Sequence, residues 1–427
     1  MFLYNLRLAL ENFKRAKLLY SLVAFTLALG IGLLSANIAL INSMMSDPIP
    51  HKSDRLFHVS MNTWPQSDPH EEPFYILRYR DASKILEAES AKNAAVFFGS
   101  GGYIRDAESS SLDRTNVSIR ATSHGFFELA DTPFLYGNAF AADNGFEVVL
   151  GDNANNRIFG GGNSVGRSIE LNGKHYKVVG VLKPWHLRPR FYHITENQAF
   201  FTTDDIFVPL ETALDENLPI HGRSSSTDTW YKASDTRDRN VYYLHAWVEL
   251  SDAQQKMAFQ NYLDGYTQSL KDAGEHPNKI LNVLHDVNDW IDERNIVDKR
   301  ILAFAIVSIL FLVVCVFNAS SLLLARLHAA VFEHGLRRAI GASKLQLMAQ
   351  GVIESTLLGL LTGLIGLLLA NLFLTMSVNF IPSVRNIAVL DPKVMLGGVI
   401  VAVVVTNLSN LYPLIRVNHR TISTELK

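Results

Sequence analysis

The stretch Ile301 to Ala325, ILAFAIVSILFLVVCVFNASSLLLA, runs 25 residues without a charge. A bilayer core is crossed by a helix of roughly 20 apolar residues. Inside hydrocarbon each backbone N–H and C=O must be satisfied within the segment, which a helix achieves. The stretch therefore reads as a membrane-spanning helix. Three further runs pass the same test: Leu18 to Ile41, about Leu347 to Phe373, and Val394 to Ile415. The third run carries one acid, Glu354, near its start. The first run is too long for a signal-peptide core of roughly 7–15 residues. Asn37, Asn42, Met44 and Met45 also make a poor cleavage site, so a retained anchor is expected.

Around these runs the composition divides. The 427 residues are 48% hydrophobic and 19% charged, but the charge is concentrated outside the four runs. The net charge of -2 offers no basic excess for a nucleic-acid partner. The lone cysteine, Cys315, excludes an intramolecular disulfide and reads as a small apolar residue of its helix.

Basic residues flank the spans on one side. Arg7, Lys14, Arg15 and Lys17 precede the first, Arg326, Arg337, Arg338 and Lys344 link the second and third, and Arg416, Arg420 and Lys427 follow the fourth. Such residues favour the cytoplasmic face. The segment Pro48 to Arg300, with 26 basic and 35 acidic residues, and the short segment Ser377 to Lys393 are then expected outside.

The long outer segment has its own strand and turn signals. Strands are expected at Arg55–Ser60, Ala94–Phe98, Asn116–Ala121, Glu147–Leu150, Ser168–Leu171, Tyr176–Leu182, Val241–Leu250 and Leu281–Leu284. Helices are expected at Phe74–Ala88 and at Asp252–Leu270, the latter capped by Ser251. Gly99, Gly101 and Gly102 are read as ending the second strand. Asn172-Gly173 signals a hairpin. The stretch Arg188–Arg239, with its polar patch Ser224 to Thr227, is read as loop. A β-α-β pattern stands at each end, which is typical of an α+β domain.

Four motifs resemble a known family. Asp47-Pro48-Ile49-Pro50 with Asp54-Arg55-Leu56 is similar to the junction after the first helix of MacB/FtsX-type ABC transporter permeases, the type VII superfamily. Ser123-His124-Gly125-Phe126-Phe127-Glu128 with Gly137 and Phe140 resembles their outer-domain signature, although Asn138 stands where an arginine is usual. Asn153 to Gly160, Val165-Gly166-Arg167 and Val178-Val179-Gly180-Val181 resemble a third motif. The fourth is Glu333-His334-Gly335-Leu336-Arg337-Arg338-Ala339-Ile340-Gly341-Ala342-Ser343, followed by Glu354-Ser355 and Gly359, Gly363 and Gly366. His334 replaces the family's isoleucine.

The resemblance implies an α-helical membrane protein with four transmembrane helices plus an α+β extracytoplasmic domain. The expected layout is an amphipathic N-terminal helix over 1–17 and membrane helices over 18–46, 301–326, 347–376 and 394–415. A periplasmic domain covers 47–300, with one lobe at 50–106 and 240–297 and an inserted strand-rich lobe at 107–239. A coupling loop covers 327–346, a short outer loop 377–393 and a cytoplasmic tail 416–427. Glu333, Leu336, Arg337, Arg338, Ile340 and Gly341 are expected to form a coupling helix that docks on an ATPase. Glu354 is expected to bond the coupling helix or the second membrane helix, and Gly359, Gly363 and Gly366 to pack on the first or second.

No Gly-x-x-x-x-Gly-Lys-[Ser/Thr] loop occurs, so ATP and Mg are expected on a partner ATPase and no cofactor on this chain. No catalytic constellation is legible, and His175, His186, His193 and His221 are too scattered to suggest a metal site. The expected role is a non-catalytic permease subunit. It would pair with a second permease chain in a bacterial inner membrane, with both termini cytoplasmic, and serve efflux, possible further partners being a membrane-fusion adaptor and an outer-membrane duct. The alternative reading is an FtsX-like scaffold that activates a periplasmic cell-wall hydrolase.

Overall fold

The structure is a computed structural model that describes residues 2–67, 72–109, 113–194, 199–201, 203–226, 236–237, 240–297, 299–329, 331–380 and 384–418. The expected tail beyond residue 418 and Thr227 of the polar patch lie outside the described residues. The chain divides into a membrane unit, Met1–Met45 with Val297–Lys427, and a sheet unit, Ser46–Ile296.

Among the described residues of the membrane unit, four helices are long and apolar enough to cross a bilayer: Lys17–Met44, Lys299–Ala329, Lys344–Phe380 and Pro392–Ile415. We refer to them as the first to fourth membrane helices. Two shorter helices, Phe2–Arg15 and Val331–Ala339, precede the first and third. Small residues set the packing. A Cβ on Gly30 would lie 3.1 Å from the Cα of Leu312, so the first helix meets the second there. A Cβ on Gly32 would lie 2.8 Å from the carbonyl of Gly366, where the first meets the third. Gly359 and Gly363 stand against Val403 and Val399, at 2.7 and 3.2 Å by the same measure, so they pack on the fourth helix. The expectation for these glycines is corrected: only Gly366 faces the first helix, and none of the three faces the second. Cys315 is buried in the shared core with Tyr20, Leu27, Ile31, Leu358 and Ala402.

The sheet unit contains β1 (Leu56–Met61), β2 (Asn93–Asp106), β3 (Thr115–Thr122), β4 (Phe134–Gly137), β5 (Glu147–Leu150), β6 (Ser168–Leu171), β7 (Lys174–Leu182), β8 (Ile206–Pro209), β9 (Ser225–Ser226), β10 (Val241–Tyr242), β11 (His245–Glu249) and β12 (Asn282–Asp286). Ten form one sheet in the order β12-β1-β11-β2-β3-β8-β5-β7-β4, with β6 on β2 and β7. The first four of that order are antiparallel neighbours. The helix Tyr79–Leu86 links β1 to β2, and Ala253–Asp272 links β11 to β12. This is a split β-α-β arrangement. Strands from the segment expected as an insertion continue the same sheet from β3 onward. One apolar core runs from Val59 and Val96 to Val148, Val178 and Val208.

Several local readings change. The helix expected from Phe74 begins at Tyr79, because Phe74 and Leu77 instead bond Met61 and Leu244 in the ladder. β2 does not end at Gly99 but runs on to Asp106, pairing along β3 from Phe97 to Ile104. The long helix is capped by Asp252, whose carboxylate accepts from the N–H of Gln255 at 2.8 Å, rather than by Ser251. The expected strand Val241–Leu250 is broken between β10 and β11. At the Asn172-Gly173 hairpin both residues have positive φ, +48° and +88°, as a type I′ turn requires.

Candidate functional site

The helix Val331–Ala339 and the turn after it are built by local chemistry. Gly341 adopts φ +108°, a conformation that side-chain-bearing residues rarely hold. The N–H of Ala342 then donates to the Arg337 carbonyl at 3.0 Å, closing the helix end. Ser343 starts the next helix through a reciprocal capping box. Its Oγ accepts from the Gln346 N–H at 3.2 Å, and its own N–H donates to Gln346 Oε1 at 2.9 Å. That Ser-x-x-Gln signal stood in the sequence and was not read.

Within this frame the predicted residues separate. Phe332, Leu336 and Ile340 recur every fourth position and are 62%, 44% and 79% exposed. They form an uncovered apolar row, and Phe332 is an addition to the expected set. Arg337 turns inward: its guanidinium donates to Gln350 Oε1 of the third membrane helix at 3.0 Å and pairs with Glu333. The fork ties the helix to the membrane bundle. Arg338 is partly exposed beside it.

Glu354 lies on the same helix as Gln350, one turn further on, and is 7% exposed. It accepts from Tyr20 Oη of the first membrane helix, from Arg326 at the end of the second, and from Asn12 Nδ2 at 2.9 Å in the N-terminal helix. The Arg326 guanidinium also sits 4.4 Å over the Tyr20 ring. A lone ionised acid within a bilayer costs roughly 2.5–3.5 kcal/mol on insertion scales. Here the charge is matched and its lone pairs are filled. The arrangement joins four helices at one carboxylate. Asn12, Tyr20 and Arg326 were missed as a set, although an isolated acid in an apolar run implies a cation nearby, and Arg326 ends the adjoining span. Next to it, Ser355 Oγ donates to Asn407 Oδ1 at 2.7 Å, binding the third helix to the fourth.

In the sheet unit two of the motifs meet. Asp47 accepts from the Ile49 N–H at 2.9 Å and from Ser53 Oγ at 2.6 Å, folding the junction into a turn. Lys52 then reaches the Glu128 carbonyl at 2.7 Å and Asp131 at 2.9 Å. Burial pushes the Asp131 carboxyl up, but Lys52 and His51 outweigh it and hold the carboxyl below its usual range. Among the described residues no group of three His, Cys, Asp or Glu side chains could hold a metal ion.

The comparisons agree with this organisation. Residues 21–264 match the MacB-like periplasmic core domain, and residues 305–422 match the FtsX-like permease C-terminal. The first match alone spans more than half of the chain, and the chain belongs to the MacB/FtsX family of permeases. A curated relative, the probable export ATP-binding/permease protein MacB of Pseudomonas entomophila (strain L48), is 21% identical over 307 residues, covering 67% of this chain and 38% of that protein. The chain thus spans well under half of that relative's length. Among solved structures, the periplasmic region of MacB from Actinobacillus actinomycetemcomitans is 14% identical, with a TM-score of 0.36 over 58% of this chain and 96% of its own. The extracellular domain of the noncanonic ABC-type transporter YknZ from Gram-positive bacteria is 12% identical, with a TM-score of 0.34 over 54% and 100%. Scores of this size fall short of showing a shared fold.

Proposed function

We propose that the chain is the permease subunit of an ABC transporter, coupling ATP hydrolysis on a separate ATPase chain to movement of its periplasmic sheet unit. The observation that carries the reading is the exposed row Phe332, Leu336 and Ile340, fixed by the Gly341 turn and braced to the third membrane helix through Arg337. An apolar row of this kind suits a hydrophobic groove on a partner. A push on it would pass along the third helix to Glu354 and so to the other membrane helices. The sheet unit receives the motion through its two covalent links, at residues 45–46 and 296–297. In this reading ATP and Mg act on the ATPase, the chain sits in a bacterial inner membrane and pairs with a second permease, and the work is export or efflux of a periplasmic substrate. Family membership and four apolar helices support it.

The test is recovery of an ATPase with the detergent-solubilised full chain from its own host. Leu336→Asp and Ile340→Asp are expected to lower that recovery about tenfold, corresponding to about 1.4 kcal/mol, while Asp at the more distant Leu345 has a smaller effect. Undiminished recovery in both variants would remove the docking claim. A pull-down that returns a cell-wall hydrolase in place of an export partner would turn the reading to the scaffold.

A further inference from the structure

We infer that the sheet unit carries a binding site for a small organic carboxylate, in the cavity lined by Gly99 and Gly101. The site lies within residues 46–296 and stands independently of the ATPase reading.

The cavity exists because of strand alternation. Residues of β2 point to opposite faces in turn, and at Gly99 and Gly101 one face carries no side chain. Opposite them on β3 are Arg120 and Ser118. The chain around His221 occupies the space directly above these two glycines. Its N–H donates to the Gly99 carbonyl at 2.8 Å, and its ring rests where a Cβ on Gly101 would come within 2.4 Å of it. Beside them remains a cavity of about 390 Å³, walled by Asn116, Arg190, His193, Asp204 and Asp205 and edged by Phe201. That volume is in the range of small-molecule sites, roughly 300–1,000 Å³.

The electrostatics select the ligand. Asp204, nearly buried, is engaged by Arg120 at 3.1 and 3.2 Å and by Arg190 at 3.5 Å. Burial pushes its carboxyl up, yet the two guanidiniums prevail and hold it at about 2. Asp205 is engaged by Arg157 at 2.6 Å and by Ser118. Of these groups Arg190, Asp204 and Asp205 line the cavity, and both carboxylates are held by guanidiniums, Asp204 by Arg120 and Arg190 and Asp205 by Arg157. Both acids are occupied, which disfavours a cationic ligand.

His193 supplies a directed donor. Arg120 donates to its Nδ1 at 2.6 Å. A guanidinium has no acceptor, so Nδ1 carries no proton. Burial, reinforced by Arg120 and Arg190, pushes the imidazole well below its usual pKa, so the ring is neutral and its proton is on Nε2. No partner for Nε2 is found among the described residues, and the ring lines the cavity. The site therefore offers an N–H and the Asn116 amide to a carboxylate, with the 49% exposed Phe201 to receive an apolar tail.

The test is calorimetric titration of the full chain in detergent with phenylacetate and with its neutral isostere phenylacetamide. Saturable binding of the acid in the millimolar range or tighter, at least about tenfold stronger than the amide, is expected. His193→Gln, which retains an acceptor for Arg120, should weaken the acid at least about tenfold with little change in melting temperature. Absence of saturable binding, equal binding of acid and amide, or unchanged affinity in His193→Gln would each overturn the inference.

Discussion

Glu354 illustrates how much one residue holds. Its carboxylate has donors from three other helices, and one of them, Arg326, is a partly buried cation with Glu354 as its counter-charge. Removing one partner of a buried pair is costly because the other charge is stranded. Glu354→Ala should destabilise the detergent-solubilised chain by about 3 kcal/mol, read as a lower melting temperature. The double variant Glu354→Ala with Arg326→Met should recover part of that loss. If Glu354→Ala melts with the parent chain, the carboxylate is not the anchor described. The acid was legible in the sequence as an anomaly. Its partners, at positions 12, 20 and 326, are up to 342 residues away, and no local pattern connects them.

At the scale of elements, glycines decide which helices touch. Gly359 and Gly363 stand on one face of the third membrane helix, but the space around them differs. At Gly359 an added Cβ meets backbone at 2.7 Å, whereas at Gly363 the nearest atoms lie at 3.2 Å. Gly359→Ala is therefore expected to cost about 1–3 kcal/mol through overpacking, and Gly363→Ala clearly less. Thermal melts in detergent compare them, and equal effects would contradict the assigned packing on the fourth helix. The small-residue spacing was visible in the sequence. Which helix it served was not, since spacing defines a face and not the neighbour behind it. The same limit applied to β2. Gly99, Gly101 and Gly102 read as a strand end, but they continue the strand because His221, Leu171 and Ile119 fill the space their missing side chains leave.

At the scale of the whole molecule, the split β-α-β arrangement brings the first strand of the sheet unit against its last helix. His58 on β1 stacks on Trp290 with ring centroids 3.7 Å apart, and His245 on β11 lies 5.9 Å from His58. Both imidazoles face Arg294, His58 also faces His285, and His245 faces Arg120. Burial first, and these neighbours second, push His58 well below its ordinary value and His245 down to about 3. A base held neutral in the folded state but free to protonate when unfolded gives stability that is complete above about pH 6.5 and falls as pH drops toward 3. The sheet unit within the full chain should therefore lose stability between pH 7 and pH 5, by up to about 1.4 kcal/mol per pH unit for each such histidine, read as a falling melting temperature. His245→Phe should flatten the profile, and a profile equally steep in that variant would exclude His245. Orientation is tested at this scale too. Cys315 is buried, so single cysteines at the exposed positions Phe146 and Ile340 should report separately. Labelling of the first from the periplasm and of the second only after the membrane is opened is expected, and the reverse would invert the proposed topology.

What the sequence determined by itself is what depends on local composition. The four spans follow from uncharged length, the hairpin at Asn172-Gly173 from residues that tolerate positive φ, and the family from motifs in order along the chain. Tertiary structure alone decided the rest: the single sheet shared by both halves of the outer segment, the four helices gathered at Glu354, the fourth helix behind Gly359, and the donor Arg120 that fixes the tautomer of His193. Each of these is a contact between residues distant in the chain. A residue's type states what it can bond, and only the folded chain states what stands within reach.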